Sequence, residues 1–473
     1  MKKKFLFCLF ISIFSVWAEP SLQGYLENDL ELQKLALEVQ KAKLALHQNT
    51  IENGIDISLS TGKASFQFLE NGTKISLKPN ATLSIPQASN LSITGSSEIS
   101  IDTTQSTIKD TSIGLSVDII SGSSITRKIS KLKAKRTLLT AKRNLQNRAL
   151  KAEKEYYTEL KTLYNTAISI ITTQNDLYDH KIAFQEIQAK GYSKTSSKYR
   201  QAEMKVLSDQ HEVETKIRQL GHDCAVFATK CNTTFDTDQH PKTFLPSSIP
   251  QVEAINITDF AQTCYTKIEE ATYDQTIAEL ERQANKNFTL SAKAGYTFNN
   301  SSAKSSTESL EDTVNISATT SLYGLNLTSE VSFPVTGDVY SPIYSLSASI
   351  NPSTFLTSTI TKKTNDLTRR QEQIAIVSAI DEYKTSVVDK QNELADILWS
   401  KETNTQTYDM YKTLADDMHK YLEAGIITES EYLSAFSNKE SYRIKLLLDD
   451  INLIIYNNET KLLFYRDEEI QDN

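Results

Sequence analysis

The chain has 473 residues and a formal net charge of −8, with 13 Gly, 9 Pro and 6 His. The acidic balance speaks against nucleic acid as a partner, and so few Gly and Pro leave little turn chemistry for a globular α/β enzyme. No Gly-rich phosphate loop, H-E-x-x-H or G-x-S-x-G occurs and the His residues are scattered, so neither catalysis, cofactor nor metal is expected.

The chain opens on Lys2, Lys3 and Lys4, an apolar run from Phe5 to Val16, and the small-x-Ala pattern Val16-Trp17-Ala18. This reads as a secretory signal peptide over residues 1–18. Its removal takes three Lys and no acid from a net charge of −8, leaving −11. Residues 19–54 then read as a helix, because Leu32, Leu35, Val39, Ala42 and Leu46 step alternately by three and four. Over 55–122 the period becomes two. Ile55, Ile57 and Leu59 alternate with Asp56, Ser58 and Ser60, and Ile113, Leu115, Val117 and Ile119 do the same, which predicts strands. KISLKPNATLSIP and NLSITGSSEIS, within 74–100, have room for a further pair of strands or for an outside loop.

The helical period returns over 123–223. A long helix runs to about Lys190, Gly191 punctuates it, and a second helix starts near Thr195. Residues 224–256 carry Pro241, Pro246 and Pro250 without periodicity and read as a connector. The order then repeats: helix over 257–286, strands over 287–352, helices over 353–460 punctuated at Gly425, and a tail over 461–473. An offset of roughly 230 residues is too long for a solenoid repeat and suits a duplicated half. Each long helix, about 100 Å at 1.5 Å per residue, matches the two short helices of its half laid end to end. That matching puts the connector and the tail at the junction midway. Cys224, Cys231 and Cys264 fall near it. An exported context permits disulfides, the odd number leaves one thiol over, and the pairing is open; the spacing fits no zinc site.

Alternation of apolar with Ser, Thr, Asp and Lys suits a barrel with lipid outside and water inside, although a soluble sheet with one wet face gives the same period. Four principal strands per chain are too few to close a barrel, which needs about eight, so closure is expected to be shared among copies. At the helix interruptions, Gly191 and Gly425 read as C-terminal residues with φ > 0. Thr428, and Thr195 or Ser196, read as caps of the returning helices. Tyr192, Tyr199, Tyr421 and Tyr432 cluster around both turns, where hydroxyls could bond neighbouring helices or rings could fill helix packing positions.

Helix, strands, long helix, Gly turn and helix, twice over behind a signal peptide, resembles the TolC-like outer membrane efflux proteins. The local likeness is EAGIITESEYLSA, with Glu423, Ala424, Gly425, Glu431, Leu433 and Ala435; the first repeat keeps Gly191 and Ala202 but carries Lys190 and Lys198. The resemblance implies an α+β membrane protein whose duplicated halves form, as a homotrimer, a twelve-stranded outer-membrane β-barrel continued by a long periplasmic α-helical barrel. It implies outer-membrane lipid around the barrel and, below it, a periplasmic adaptor (membrane fusion) protein and an inner-membrane pump. The expected role is a channel-tunnel of tripartite efflux or type I secretion, passing small molecules or polypeptides to the exterior. Gly191, Thr195, Gly425 and Thr428 would then lie at tips where the adaptor docks. The acidic pore constriction of the family falls by position on Glu431. Its second acidic position falls on Ser434, a departure, with Glu429 the nearby carboxylate in another register. A second reading of the same helices is an exported coiled-coil structural or adhesin-like protein without transport, which would not need two matched halves.

Overall fold

A computed structural model describes residues 20–69, 72–101, 106–236, 240–285, 288–298, 312–335 and 341–465. The signal peptide read over 1–18, and the tail beyond Tyr465, lie outside the described residues. The first helical segment is two helices, α1 (Pro20–Glu27) and α2 (Leu30–Glu52). Asp29 makes the break: its Oδ1 accepts the N–H groups of Glu31 and Leu32 at 2.8 and 3.1 Å, an N-terminal cap. The long helices are α3 (Ser123–Ala189) and α6 (Pro352–Glu423), each returning after a turn as α4 (Ser197–Lys230) and α7 (Glu429–Leu462). Two boundaries differ from expectation. Helix α4 runs seven residues past Asp223, because CAVFATK keeps an apolar face that the core buries. The second-half short helix, α5, spans only Thr266–Ala284, since residues 257–264 form two short 3-10 turns instead.

The chain divides into two compact units. One, built on residues 38–141 and 270–379, holds the sheet. Its strands are β1 (Asp56–Ser60), β2 (Ala64–Leu69), β3 (Gly72–Leu77), β4 (Asn80–Ile85), β5 (Leu91–Ile101), β6 (Ser106–Ile120), β7 (Phe288–Phe298), β8 (Thr313–Leu322), β9 (Leu325–Pro334) and β10 (Ile343–Ile350). The order is β1-β4-β5-β6-β7-β8-β9-β10, with the β2–β3 hairpin attached through β3 to β5. The expectation of four principal strands is therefore corrected: the described residues hold ten. The extra strands come from hairpins: β3, β4 and β5 fill the stretch within 74–100 that had room for a further pair, and period two does not reveal the rest. One is β8–β9, turned at Tyr323 and Gly324 with φ of 50° and 87°, the left-handed pair that a two-residue hairpin requires. The sheet is not closed; among the described residues β1 pairs with β4 alone and β10 with β9 alone. In this unit α5 is clamped to α6 by a two-pronged pair, Arg282 Nη1 and Nη2 donating to Glu372 at 3.0 and 2.8 Å.

The other unit is helical and built on residues up to 37, 142–269 and from 380. Its core gathers Tyr156, Leu160, Tyr164, Ala167 and Ile170 of α3 with Leu220, Cys224 and Phe227 of α4 and Ile444, Leu448, Ile451 and Ile454 of α7. The connector seals it: Ile249 is buried, and the Tyr164 hydroxyl donates to the Pro246 carbonyl at 2.5 Å. Arg148 of α3 ties down the cap of α2, its Nη2 lying 2.7 Å from Asp29 Oδ2. Cys224, Cys231 and Cys264 are free thiols. Cys224 and Cys231 sit seven residues apart, two helical turns or about 10 Å, which is beyond disulfide reach. Burial pushes both thiols up to about 12, so they stay protonated and unreactive. Changing Cys224 or Cys231 to Ser is expected to cost about 1–3 kcal/mol, because a hydroxyl replaces a small apolar group in the core. Cys264→Ser, half-buried, should change stability by less than about 0.5 kcal/mol. Chemical unfolding of the three single variants checks the order, and native thiol labelling should modify Cys264 first.

Candidate channel face and tip turns

Strand register decides what the sheet presents. Ile93 of β5 faces Leu115 of β6, Leu115 faces Ala294 of β7, Ala294 faces Ile316 of β8, Ile316 faces Val331 of β9, and Val331 faces Tyr344 of β10. One apolar row thus crosses six strands. The next residue along each strand gives Ser92, Ser116, Lys293, Ser317, Glu330 and Ser345, again in register. Because successive side chains point to opposite faces, one face of the sheet is a belt of Ile, Leu, Val and aromatic residues and the other is hydroxylic with a few charges. Among the described residues nothing buries the belt: Ile113, Leu115, Ile316, Tyr344 and Leu346 are all exposed large apolar side chains. No helix among the described residues is long and apolar enough to cross a membrane.

The edges are equally bare. Every residue of β1 and of β10 is exposed. Since neighbours along the eight-strand path are all antiparallel, an even number of strands leaves β1 and β10 running in opposite directions. The β10 edge of one copy is thereby suited to the β1 edge of another, in the antiparallel sense that barrels use. Helix α2 adds a stripe that the inward reading does not use. Val39 and Ala42 are buried as the heptad pattern predicts, but Leu30, Leu37, Leu44 and Ile51, repeating every seven residues, are 76, 54, 69 and 64% exposed.

The two turns share one backbone. At the first, Gly191 N–H donates to Gln188 O and Tyr192 N–H to Ile187 O; at the second, Gly425 N–H donates to Leu422 O and Ile426 N–H to Tyr421 O. This pair of bonds closes both helices around a left-handed residue, and both glycines have φ of 70°. A Cβ at either would meet nothing within 4 Å, so the dihedral angle, not crowding, demands glycine. Of the two candidate caps in the first turn, Ser196 does the work: its Oγ accepts the Tyr199 N–H at 3.3 Å. Thr195 lies just before it, with its own N–H donating to Ser193 Oγ.

Thr428 caps α7 as predicted, and Glu431 completes a reciprocal pair with it. Glu431 N–H donates to Thr428 Oγ1 at 3.4 Å, while Glu431 Oε2 accepts the Thr428 N–H at 2.7 Å and its hydroxyl at 2.9 Å. These donors, the backbone N–H first, hold the Glu431 carboxyl below the usual glutamate range. Its capping contribution is therefore complete above the ordinary glutamate pKa and is lost only as pH falls through the lowered value. The signal T-x-x-E at Thr428–Glu431 stands in the sequence and was legible there. Glu429 is exposed in the first turn of α7, and Ser434 is half-buried one turn on.

The tyrosines divide. Tyr199 is buried edge-on against Phe184, ring centroids 5.1 Å apart, and its hydroxyl accepts from Gln188 Nε2 at 3.4 Å. Tyr432 lies beside His419 and Phe436. Tyr192 and Tyr421 are exposed, the former under Lys198. Their contacts stay within their own hairpins; among the described residues no hydrogen bond or ring contact joins one turn to the other.

Several solved structures are similar over nearly the whole chain, at low identity. The outer membrane protein VceC of Vibrio cholerae is 12% identical with a TM-score of 0.41, covering 94% of this chain and 92% of its own. The CmeC outer membrane channel of Campylobacter jejuni is 10% identical at 0.42, covering 95% and 86%. The MtrE outer membrane channel of Neisseria gonorrhoeae is 12% identical at 0.42, covering 94% and 87%. No curated protein sequence matches the chain. Two domain families do: residues 22–249 match the TP096X N-terminal domain and residues 250–467 the TP096X C-terminal domain. Their boundary falls inside the connector that separates the duplicated halves. The two matches run on without a gap from residue 22 to residue 467, so the chain carries both TP096X domains in order.

Proposed function

We propose that this protein is the outer-membrane channel-tunnel component of a tripartite efflux or type I secretion system. In this reading three copies close one barrel through their β1 and β10 edges, and the paired helices continue it into the periplasm. A periplasmic adaptor and an inner-membrane pump work with it, the pump supplying the energy. The observation that carries the reading is the apolar row Ile93–Leu115–Ala294–Ile316–Val331–Tyr344, backed by a hydroxylic row and left uncovered. A soluble sheet would bury such a row against another layer; a barrel wall turns it to lipid. The exposed seven-residue stripe of α2, and Ile360, Leu367 and Ile374 at the same spacing on α6, supply apolar seams for helix packing between copies.

Purified protein added to a planar bilayer is expected to give stepwise conductance. A preparation that inserts nowhere and conducts nothing would remove the channel reading. Within it, Glu431 is the residue placed at the pore constriction, with Glu429 beside it and Ser434 where a second carboxylate would otherwise stand. Gly191, Thr195, Gly425 and Thr428 shape the tips that meet the adaptor. Three symmetry-related Glu431 carboxylates would favour cations. Glu431→Gln keeps the reciprocal cap, which glutamine also forms, and removes the charge. It is expected to reduce cation selectivity with assembly unchanged, and Glu431→Lys to shift selectivity toward anions. Unchanged reversal potentials in both variants would take Glu431 out of the constriction.

A further inference from the structure

Where α3 leaves the sheet, its sequence is one-sided. From Ser123 to Ala152 it carries Arg127, Lys128, Lys131, Lys133, Lys135, Arg136, Lys142, Arg143, Arg148 and Lys151 and not one acidic residue, in a chain of net charge −8. Several of these charges are used inside the protein. Arg127 bonds Asn90 and the Pro86 carbonyl, Lys133 meets Glu281 at 2.7 Å, Arg136 stacks on Tyr273, and Arg148 holds Asp29. Lys128, Lys131 and Lys135 are not: all three are exposed, no ion pair engages them among the described residues, and at spacings of three and four they form one stripe. The same unit adds exposed Lys362 and Lys363 early in α6.

Position gives the stripe its meaning. Only Ser121 and Gly122 separate the end of β6 from the start of α3, so Lys128 and Lys135 lie about 8 and 18 Å along the helix from the sheet. A headgroup layer is about 5–8 Å thick, and charges act across about 8 Å at physiological ionic strength. We infer that Lys128, Lys131 and Lys135 dock on anionic phospholipid headgroups of the leaflet from which the helices emerge. The stripe anchors the depth of the sheet and gathers acidic lipid around it. This rests on the membrane reading proposed above. The chemistry is that of juxtamembrane polybasic segments: point charges on flexible stems, meeting phosphate at a surface, without a shaped pocket.

The test uses the full detergent-solubilised protein and counts bound lipid by native mass spectrometry, with phosphatidylglycerol or phosphatidylcholine as the added lipid. Wild type is expected to retain phosphatidylglycerol in preference. The variant Lys128→Gln/Lys131→Gln/Lys135→Gln should lose that preference by on the order of tenfold or more. Lys151→Gln/Lys181→Gln/Lys194→Gln, which removes as many exposed charges further along the chain, should keep it. An equal preference in wild type and the first variant overturns the inference. So does a loss shared by both variants, which would make the effect one of net charge. If the first variant keeps its lipid but loses anion permeability in a planar bilayer, the stripe lines the lumen and the inference fails. Wild type that does not enter phosphatidylcholine bilayers at all sinks the membrane reading itself, a result distinct from insertion without lipid preference.

Discussion

Ile316→Arg is expected to abolish membrane insertion while leaving the protein able to fold its helical unit. Ile316 is the fourth residue of β8 and the middle of the apolar row, between Ala294 and Val331. It is about half exposed in the protomer, so arginine there meets no steric barrier. Its cost arises only if that face meets hydrocarbon, where a cation near the midplane costs about 2–4 kcal/mol per copy. Copies sharing one barrel incur it together. Ser317→Arg, one residue on and in the hydroxylic row, is the control. Facing water, it should assemble normally and alter only ion selectivity. Fractionation of membranes from cells making each variant reads the result. If both variants insert equally, neither face of the sheet is turned to lipid.

The second large effect is in the helical core. Tyr156 is 1% exposed and packs against Tyr25, Tyr157 and Phe227 at ring distances of 5.6, 5.1 and 5.2 Å. Its hydroxyl lies 2.8 Å from Ser21 Oγ. It therefore joins α1, α3 and α4 at one point. Tyr156→Ala is expected to cost about 3–5 kcal/mol, the range for removing a buried aromatic side chain. Tyr156→Phe should cost only about 1 kcal/mol, the net worth of one hydrogen bond. Denaturant unfolding of the two variants checks the ratio. Equal losses would mean that the hydroxyl network, not ring packing, holds α1 in place.

What the sequence disclosed follows from what each residue has to do. The inward stripe of α2 was legible because Val39 and Ala42 are buried on one face of the helix, which imposes a spacing of three and four. The turn glycines were legible because glycine, lacking a Cβ, takes φ near 70° at no steric cost. The strand count was not. Ser- and Thr-rich strands with one face toward water keep alternating through a hairpin, and Tyr323-Gly324 carries no Asn-Gly or Asp-Gly mark. The end of α4 was obscured by the cysteines, which read as connector but pack as small apolar core residues. The resemblance marks only the charge of Glu431, whereas its reciprocal bonds with Thr428 are carried by the spacing T-x-x-E. The open edges and the exposed stripe of α2 are visible only in three dimensions, since exposure, not hydrophobicity, is what makes them unusual.

Closure of one pore by several copies is tested most directly by the mass of the detergent-extracted particle. With one edge each of β1 and β10 open and the apolar stripes of α2 and α6 exposed among the described residues, native mass spectrometry should find three chains per particle. A folded particle containing a single chain, stable without partners, would contradict it.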